Sequence, residues 1–267
     1  MYANPLLEKI RNGRTSLGLF VESPDMVELC GHLGFDWFGI DQMFTGADWS
    51  RTENLIRAGE AAGITPVVRV QSNPWLGHDS RIAVDVTRAQ GVGAQFILVS
   101  HSDQSEIESC LHVAKDWHRK LFTINPFDSF EDWDRKREGS TEETFIIPQP
   151  ESRGALDSLE DVIRLPGVKI VLIAMTDGSR VLTGSNRPDF YHPALWEYVD
   201  RAVALGKEHG VTIGANTSYA YDLDEIERRI GVLQEHGVQM ILVQGAMFLF
   251  QVTMTGFLKR VRKIVEP

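Results

Sequence analysis

Two acidic residues occupy positions from which they could hold a divalent metal. Glu151 and Asp177 each follow a short run typical of a β-strand, and the two runs are consecutive along the chain. Neighbouring strand tips lie about 4.8 Å apart, so both carboxylates could reach one cation. Carboxylate oxygens without cysteine or histidine nearby favour Mg²⁺ or Mn²⁺. The same residues could instead stabilise the N-termini of the helices that follow, and the spacing leaves both interpretations open.

Arg69 interrupts the apolar run 66–70. A charge within a buried strand is costly unless it is paired. A guanidinium directed into the mouth of a barrel could bind a carboxylate or an enolate oxygen through two hydrogen bonds. It could also form a buried salt bridge with Asp41 on the preceding strand, and the two roles are compatible.

Two of the eight histidines, His78 and His101, are expected on loops that follow strands. Histidine is the side chain best suited to proton transfer near neutral pH. His101 comes directly after the fourth predicted strand, which makes it the better placed of the two. The alternative is that His101 caps the next helix or points into solvent.

The elements that would position these residues repeat along the chain. Short β-branched runs alternate with segments of helical periodicity, which predicts βα units and a parallel sheet. The predicted strands are 16–21, 37–41, 66–70, 95–99, 145–148, 169–173, 212–215 and 240–243. The predicted helices are 24–33, 49–62, 79–91, 104–118, 155–164, 191–208, 222–235 and 247–263. Eight of each predict a (β/α)8 (TIM) barrel, whose reacting groups follow the C-terminal ends of the strands.

Glycines mark the ends of several predicted helices. Gly34, Gly63, Gly210 and Gly237 each come between a helical segment and a strand, where a left-handed backbone commonly ends a helix. The segment 119–143 is charged and rich in turn residues, and we interpret it as a long excursion before the fifth strand. The 267 residues match the size of a barrel of about 250, so residues 1–267 are expected to form one domain.

Composition excludes several classes of function. The formal net charge is −10, and the basic run 259–263 is the one Lys/Arg cluster that stands out. That run falls on the last predicted helix, where cations favour the C-terminus, so nucleic-acid binding is not indicated. The two cysteines, Cys30 and Cys110, form no CxxC motif, so neither a zinc site nor a disulfide framework is indicated. No apolar run approaches the ~20 residues of a membrane span, and the N-terminus lacks the apolar core of a signal peptide. We therefore expect a cytoplasmic protein without a membrane partner.

Several sequence blocks recur together in one known family. They are Leu17-Gly18, Ser23-Pro24, the segments 34–41, 66–70 and 93–99, Glu151-Ser152-Arg153, 166–168 and 171–179. In this order and spacing, the chain resembles the HpcH/HpaI family of metal-dependent 2-oxoacid aldolases, within the phosphoenolpyruvate/pyruvate barrel superfamily. The resemblance covers nearly the whole chain.

The resemblance implies a metal site and a substrate. Glu151 and Asp177 would hold Mg²⁺, Mn²⁺ or Co²⁺, and the metal would bind the carboxylate and 2-oxo oxygens of a pyruvate-like unit. Arg69 would stabilise the enolate that develops. Family members usually assemble as trimers or hexamers through the C-terminal helix. Here the helix expected at about 247–263 carries enough apolar residues for the same role, namely Phe248, Leu249, Phe250, Val252 and Phe257.

The chain departs from the family in the residues that move protons. The family has Asp-x-Glu-His after the second strand, whereas this chain reads Asp41-Gln42-Met43-Phe44, so Phe44 stands where the histidine would be. Gly91 replaces the partnering aspartate, and Ser100 replaces the proline at the end of the fourth strand. The Pro-Pro-x-Gly-x-Arg-Gly loop has no counterpart in 119–143. The usual base dyad is therefore absent, and we expect His101 to replace it, with Arg69 and Asp41 as the other catalytic residues.

Three functions fit these features. The first is a carbon–carbon lyase that acts on a 2-oxoacid through a metal-bound enolate. The second uses the same platform for decarboxylation, isomerisation or cyclisation of a bulkier substrate, because Phe44, Met43 and Met175 would make the mouth apolar. The third is a catalytically silent barrel that binds a 2-oxoacid. In each, Arg69, Phe44, Met175 and Thr176 are expected to contact the substrate.

Overall fold

Eight parallel strands form a barrel that helices surround. The computed structural model describes residues 4–70, 81–101, 103–116, 129, 131 and 144–265. The strands are β1 Ser16–Phe20, β2 Trp37–Asp41, β3 Thr65–Arg69, β4 Phe96–Ser100, β5 Phe145–Gln149, β6 Ile170–Ile173, β7 Thr212–Asn216 and β8 Met240–Gly245. Their order in the sheet is β5-β4-β3-β2-β1-β8-β7-β6. β5 and β6 contact each other and bring the two edges of the sheet together, so the predicted (β/α)8 barrel is confirmed.

The helices in the described residues mostly follow the strands, as expected. They are α1 Pro5–Arg11, α2 Pro24–Leu33, α3 Trp49–Ala62, α4 Arg81–Val92, α5 Gln104–Asp116, α6 Arg153–Asp157, α7 Leu159–Arg164, α8 Met175–Thr183, α9 Pro193–His209, α10 Leu223–Glu235 and α11 Ala246–Val265. Gly34, Gly63, Gly210 and Gly237 all have positive φ, which confirms the predicted helix ends. None of the helices in the described ranges is long and apolar enough to cross a bilayer.

Three helical assignments differ from the sequence prediction. Helix α1, before the first strand, was not predicted, and the other two differences follow β5 and β6. The single helix expected at 155–164 is two helices that meet at Ser158, whose hydroxyl donates to the Ala155 carbonyl. Such a side-chain bond competes with the helical pattern. A helix not predicted, α8, begins directly after β6. Its Thr, Gly and Ser residues have weak helical preference, so its formation depends on burying Met175, Gly178 and Ser179 against the barrel.

The N-terminal end of the barrel is closed by α1. Leu6 is fully buried beneath the barrel interior, and its N–H donates to Thr65 Oγ1 at the start of β3. The interior above it contains Trp37, whose ring fills the space beside Gly18. A Cβ atom at Gly18 would lie only 2.1 Å from Trp37 Cδ2. Any larger residue at position 18 would displace this ring. The open end of the barrel is therefore the C-terminal end of the strands, where the predicted site residues lie.

Candidate active site

Arg69 and Asp41 form the best-defined pair at this end of the barrel. They are the last residues of β3 and β2 and are direct register partners across the ladder. Arg69 donates from Nε to Asp41 Oδ1 at 2.9 Å and from Nη2 to Oδ2 at 2.5 Å. The two side chains are only 11% and 9% exposed. The buried salt bridge that the sequence allowed is therefore present, and it fixes the plane of the guanidinium.

Two aromatic rings contact the same guanidinium. The Arg69 Cζ atom lies 4.8 Å from the centre of the Phe20 ring and 5.0 Å from that of Phe44, distances typical of cation–π contacts. The Phe20 ring occupies space that exists because residue 39 is glycine, since a Cβ there would come within 2.4 Å of it. Arg69 is thus fixed by a carboxylate in its plane and by two aromatic rings.

Phe44 is exposed, yet its backbone is held in place. Phe44 is 72% exposed. Asp41 Oδ1 also accepts the backbone N–H groups of Met43, at 2.9 Å, and Phe44, at 3.3 Å. The Thr45 hydroxyl donates to the Asp41 carbonyl. A single carboxylate therefore orders both the cation and the loop that presents the exposed ring beside it.

His101 contacts Glu151 at the neighbouring strand tips. Its Nε2 lies 2.8 Å from Glu151 Oε2, and the side chains are 19% and 6% exposed. Neither residue caps a helix: Ser152 caps α6, and the Asp103 carboxylate accepts the Glu106 N–H at the start of α5. His101 therefore neither caps a helix nor points into solvent, which were the two alternatives.

Asp177 lies in a helix rather than in a loop. It is in the first turn of α8, its side chain is 45% exposed, and its Oδ1 accepts from Arg180 Nη1 at 3.3 Å. Helix α8 has no side-chain cap at Ala174, so the Asp177 charge also offsets the positive end of this helix. For Asp177, the metal-ligand and helix-stabilising interpretations both remain compatible with the geometry.

The donor set is suited to a hard or borderline divalent ion. Within the described residues, no group of three or more His, Cys, Asp or Glu side chains is arranged to hold a metal. Glu151 nevertheless presents a buried carboxylate with one oxygen on an imidazole, and Asp177 follows β6, which contacts β5. Carboxylate oxygens with an imidazole nearby fit Mg²⁺, Mn²⁺ or Co²⁺ by their chemistry.

The remaining predicted residues are divided between surface and core. Thr176 donates through its hydroxyl to Ser218 Oγ at 3.0 Å. Met175 is fully buried in the core, so it has no exposed surface for a ligand in this arrangement. His78 and most of the 119–143 excursion lie outside the described residues.

A polar cluster after β7 was not predicted from sequence. Ser218 has a φ of 54°, which is uncommon for a residue other than glycine, and its N–H donates to Asn216 Oδ1 at 3.1 Å. Gln244, near the end of β8, donates to the Ser218 carbonyl. The only signal in the sequence is the polar run 216–218 at a strand end. These contacts bring hydroxyl and amide groups to the rim near Thr176.

Similarities to known proteins agree with the fold. No family model matches the chain. The chain is 23% identical over 200 residues to 2-dehydro-3,6-dideoxy-6-sulfogluconate aldolase of Pseudomonas putida. The alignment covers 73% of this chain and 74% of that protein. It is 26% identical over 219 residues to pyruvate aldolase of Rhizobium etli, with 78% and 82% covered.

A solved structure shares the whole architecture. The HpcH/HpaI aldolase from Desulfitobacterium hafniense matches with a TM-score of 0.80 at 20% identity, covering 96% of each chain. At 20% identity, the structural match establishes the fold alone. The two relatives from Pseudomonas putida and Rhizobium etli are both named as aldolases. The chain is therefore similar in sequence to proteins named as aldolases and shares the fold of an HpcH/HpaI aldolase, in agreement with the resemblance found in its sequence.

Proposed function

We propose that this protein is a divalent-metal-dependent carbon–carbon lyase that acts on a 2-oxoacid through an enolate. The observation that carries the proposal is an arc of functional groups at the tips of three consecutive strands: Arg69 on β3, His101 after β4 and Glu151 after β5. The arc combines a fixed cation, an imidazole and a buried carboxylate. Its relatives named as aldolases support the same reaction class.

Glu151 and Asp177 are the proposed metal-binding residues. When bound, the metal would supply Lewis-acid polarisation of the 2-oxo group. Glu151 offers a carboxylate in a nearly dry environment, since it is 6% exposed. Asp177 is the more accessible of the two, and its pairing with Arg180 at 3.3 Å is long enough to be exchanged.

Arg69 is proposed to bind the negative charge of the substrate. Its guanidinium has five N–H donors, and Asp41 accepts from two of its nitrogens. The remaining donors are held in a fixed direction by Asp41 and by the two aromatic rings. A cation that needs no reorganisation stabilises developing charge more effectively than a mobile one. Asp41 therefore acts through Arg69 by fixing its orientation.

His101 is the proposed proton-transfer residue. Phe44 cannot move a proton, and Gly91 has no side chain to assist a histidine. Among the described histidines, His101 is the one that lies at a strand tip, where it contacts Glu151. The others lie within α2, α5 or α9 or at helix ends. Thr176 and Phe44 are proposed to contact the substrate at the rim, with Met175 supporting them from below.

Proton exchange with pyruvate tests this function directly. With Mn²⁺ present, the protein should exchange the methyl protons of pyruvate for solvent deuterium, and EDTA should stop the exchange. Release of pyruvate from 4-hydroxy-2-oxoacids would identify the lyase. Turnover of a 2-oxoacid without free pyruvate would point to the other enolate reactions, and Mn²⁺-dependent pyruvate binding without exchange or turnover would show a silent binding barrel.

A bulkier substrate is the second candidate, and one observation favours it. Phe44 exposes 72% of its surface while its backbone is fixed next to Arg69. A ring held in this way could contact an aromatic or branched group of the substrate. If this is right, kcat/KM should be higher for aromatic than for small aliphatic acceptor aldehydes.

We further propose a homo-oligomer, trimer or hexamer, that uses α11. This helix buries Ala246 and Val252 against its own barrel, while Met247, Phe250 and Phe257 are 57%, 57% and 47% exposed. Removing these apolar side chains from water in an interface between subunits is favourable by about 25 cal/mol per Å² of apolar surface. Light scattering should give a mass that is a multiple of the monomer, and Phe257→Asp should reduce it. A monomeric wild type would rule out this proposal.

A further inference from the structure

His101 and Glu151 come from neighbouring strands whose register brings them together. Ser100 and Gln149, which end β4 and β5, are direct partners in the parallel ladder. The Ser100 hydroxyl also donates to Gln149 Oε1 at 2.6 Å, so the two strand ends are joined by their side chains as well. The residues that follow are therefore held next to each other.

The backbone of His101 is held in an unusual conformation. Its φ is 59°, in the left-handed region that residues other than glycine seldom adopt. The His101 N–H donates to the Gln149 carbonyl at 3.1 Å, which extends the β4–β5 pairing by one residue. Residues held in such regions cluster at functional sites, where the surrounding structure imposes the conformation. The strand pairing thus directs the imidazole towards Glu151.

We propose that His101 and Glu151 form a reciprocal pair in which each residue positions the other. This inference rests on the proposed function and adds to it. The Nε2–H group donates to Glu151 Oε2, so Oε1 is the carboxylate oxygen that would bind the metal. Hydrogen bonds to a ligating carboxylate from a second residue orient it for metal binding.

The same hydrogen bond fixes the tautomer of the imidazole. Because Nε2 carries the proton that Glu151 accepts, the lone pair is on Nδ1. Nδ1 then takes a proton from C3 of a pyruvate-like substrate. The electron pair of the C–H bond forms the C2–C3 double bond, and the carbonyl π pair moves to the 2-oxo oxygen, next to Arg69. On addition of an aldehyde, the pair on the enolate oxygen re-forms the C2 carbonyl and the C2–C3 π pair forms the bond from C3 to the aldehyde carbon. The proton held by the imidazole then goes to the new alkoxide oxygen.

This pair takes the place of the base dyad that the chain lacks. The missing groups correspond to Phe44, after β2, and Gly91, in α4. The replacement lies instead at the tips of β4 and β5, and it includes a proposed metal ligand. Metal binding and proton transfer would then be coupled through one carboxylate, which predicts effects of His101 variants on metal affinity that a base acting alone would not have.

Two variants of one residue separate positioning from proton transfer. His101→Gln keeps an N–H donor at the position of Nε2, whereas His101→Ala removes it, and both place a non-glycine residue in the same left-handed backbone. Mn²⁺ affinity, measured by electron paramagnetic resonance, should fall about 10- to 100-fold in His101→Ala and by less than about threefold in His101→Gln. Pyruvate methyl exchange should be lost in both. Unchanged Mn²⁺ affinity in His101→Ala, or equal losses in both variants, would overturn the reciprocal pair.

The tautomer can be tested without any metal. Nitrogen-15 NMR of the metal-free wild type at a pH where the imidazole is neutral should show His101 protonated on Nε2 and not on Nδ1. Glu151→Ala should give a mixture of both tautomers. A wild type protonated on Nδ1 would refute the pair, whatever the protein does with pyruvate. Conversely, correct tautomers with no Mn²⁺ binding and no exchange would support the pair and contradict the proposed lyase.

Discussion

Asp41 and Arg69 are opposite each other across the β2–β3 ladder and share two hydrogen bonds, from Nε to Oδ1 at 2.9 Å and from Nη2 to Oδ2 at 2.5 Å. The same Asp41 oxygen that binds Nε accepts the N–H groups of Met43 and Phe44. One buried carboxylate therefore couples the orientation of the Arg69 guanidinium to the loop that follows β2. Its removal should affect both stability and substrate binding.

Asp41→Asn should lower the free energy of unfolding by about 3 kcal/mol, because it leaves a buried guanidinium without its charged partner. The Asn oxygen can still accept the Met43 N–H, so the loop should stay ordered. Urea unfolding of Asp41→Asn, Arg69→Met and the double variant measures the coupling. If the effects of the single variants simply add, the pair contributes no coupling energy and this prediction is wrong.

Gly39→Ala should displace the Phe20 ring from Arg69, since the new Cβ would lie 2.4 Å from Phe20 Cδ1. Overpacking of this kind typically costs about 1–3 kcal/mol. We expect a lower melting temperature together with a higher KM for the 2-oxoacid. Gly231→Ala in α10 is the matched control, because a Cβ there would meet nothing within 4 Å. An unaffected KM in Gly39→Ala would indicate that the Phe20 contact does not help to position Arg69.

Glu151→Ala and Asp177→Ala should each abolish Mn²⁺ binding while the barrel stays folded. Calorimetric titration and circular dichroism test the two parts separately. Asp177→Ala also removes a charge at the N-terminus of α8, at a cost of about 0.3–1 kcal/mol. Asp224→Ala is a matched control, because Asp224 is likewise an acidic residue in the first turn of a helix, α10. If either variant binds Mn²⁺ as tightly as the wild type does, the residue changed in that variant is not a metal ligand.

Phe44→Leu should change substrate preference with little effect on stability. The residue is 72% exposed, and an exposed cation–π contact is worth about 0.5–1 kcal/mol. The ratio of kcat/KM for an aromatic over an aliphatic acceptor aldehyde should therefore fall, while the melting temperature changes by only a few degrees. Phe250→Leu, an exposed phenylalanine on α11, should leave this ratio unchanged. Equal ratios in wild type and Phe44→Leu would eliminate Phe44 as a specificity residue.

Cys110 should contribute to alkaline destabilisation. Burial, helped by the nearby Glu106 charge, raises the pKa of this thiol from 9.0 to about 12. The raised value means that the folded state holds the proton more tightly than the unfolded state does. This stabilisation is complete below pH 9 and is lost as the pH rises towards 12. Cys110→Ser should show a smaller loss of unfolding free energy between pH 9 and 11; the same slope as wild type would show that other groups dominate.

The alternation of strand-like runs with helical segments, together with the glycines at helix ends, predicted most of the barrel. Strand β2 and helices α2 and α3 have the bounds that their patterns predict, since each begins or ends at a residue with a specific local preference. Gly34 and Gly63 end their helices because they adopt the left-handed backbone at no steric cost. The charge of Arg69 within an apolar strand likewise predicted a buried partner, and Asp41 is that partner. Such features depend on residues close in sequence or on one adjacent strand.

Tertiary packing decided the rest of the site. The sequence placed His101 after a strand but could not orient it, because its direction depends on the register of β4 with β5 and on a φ of 59°. The helical position of Asp177 and the burial of Met175 both follow from α8, which forms by packing on the barrel despite weak local preference. The aromatic contacts of Arg69 require the space above Gly39 that only the β1–β2 register creates. Side-chain directions at strand tips are set by pairing across the sheet, which one chain segment does not encode alone.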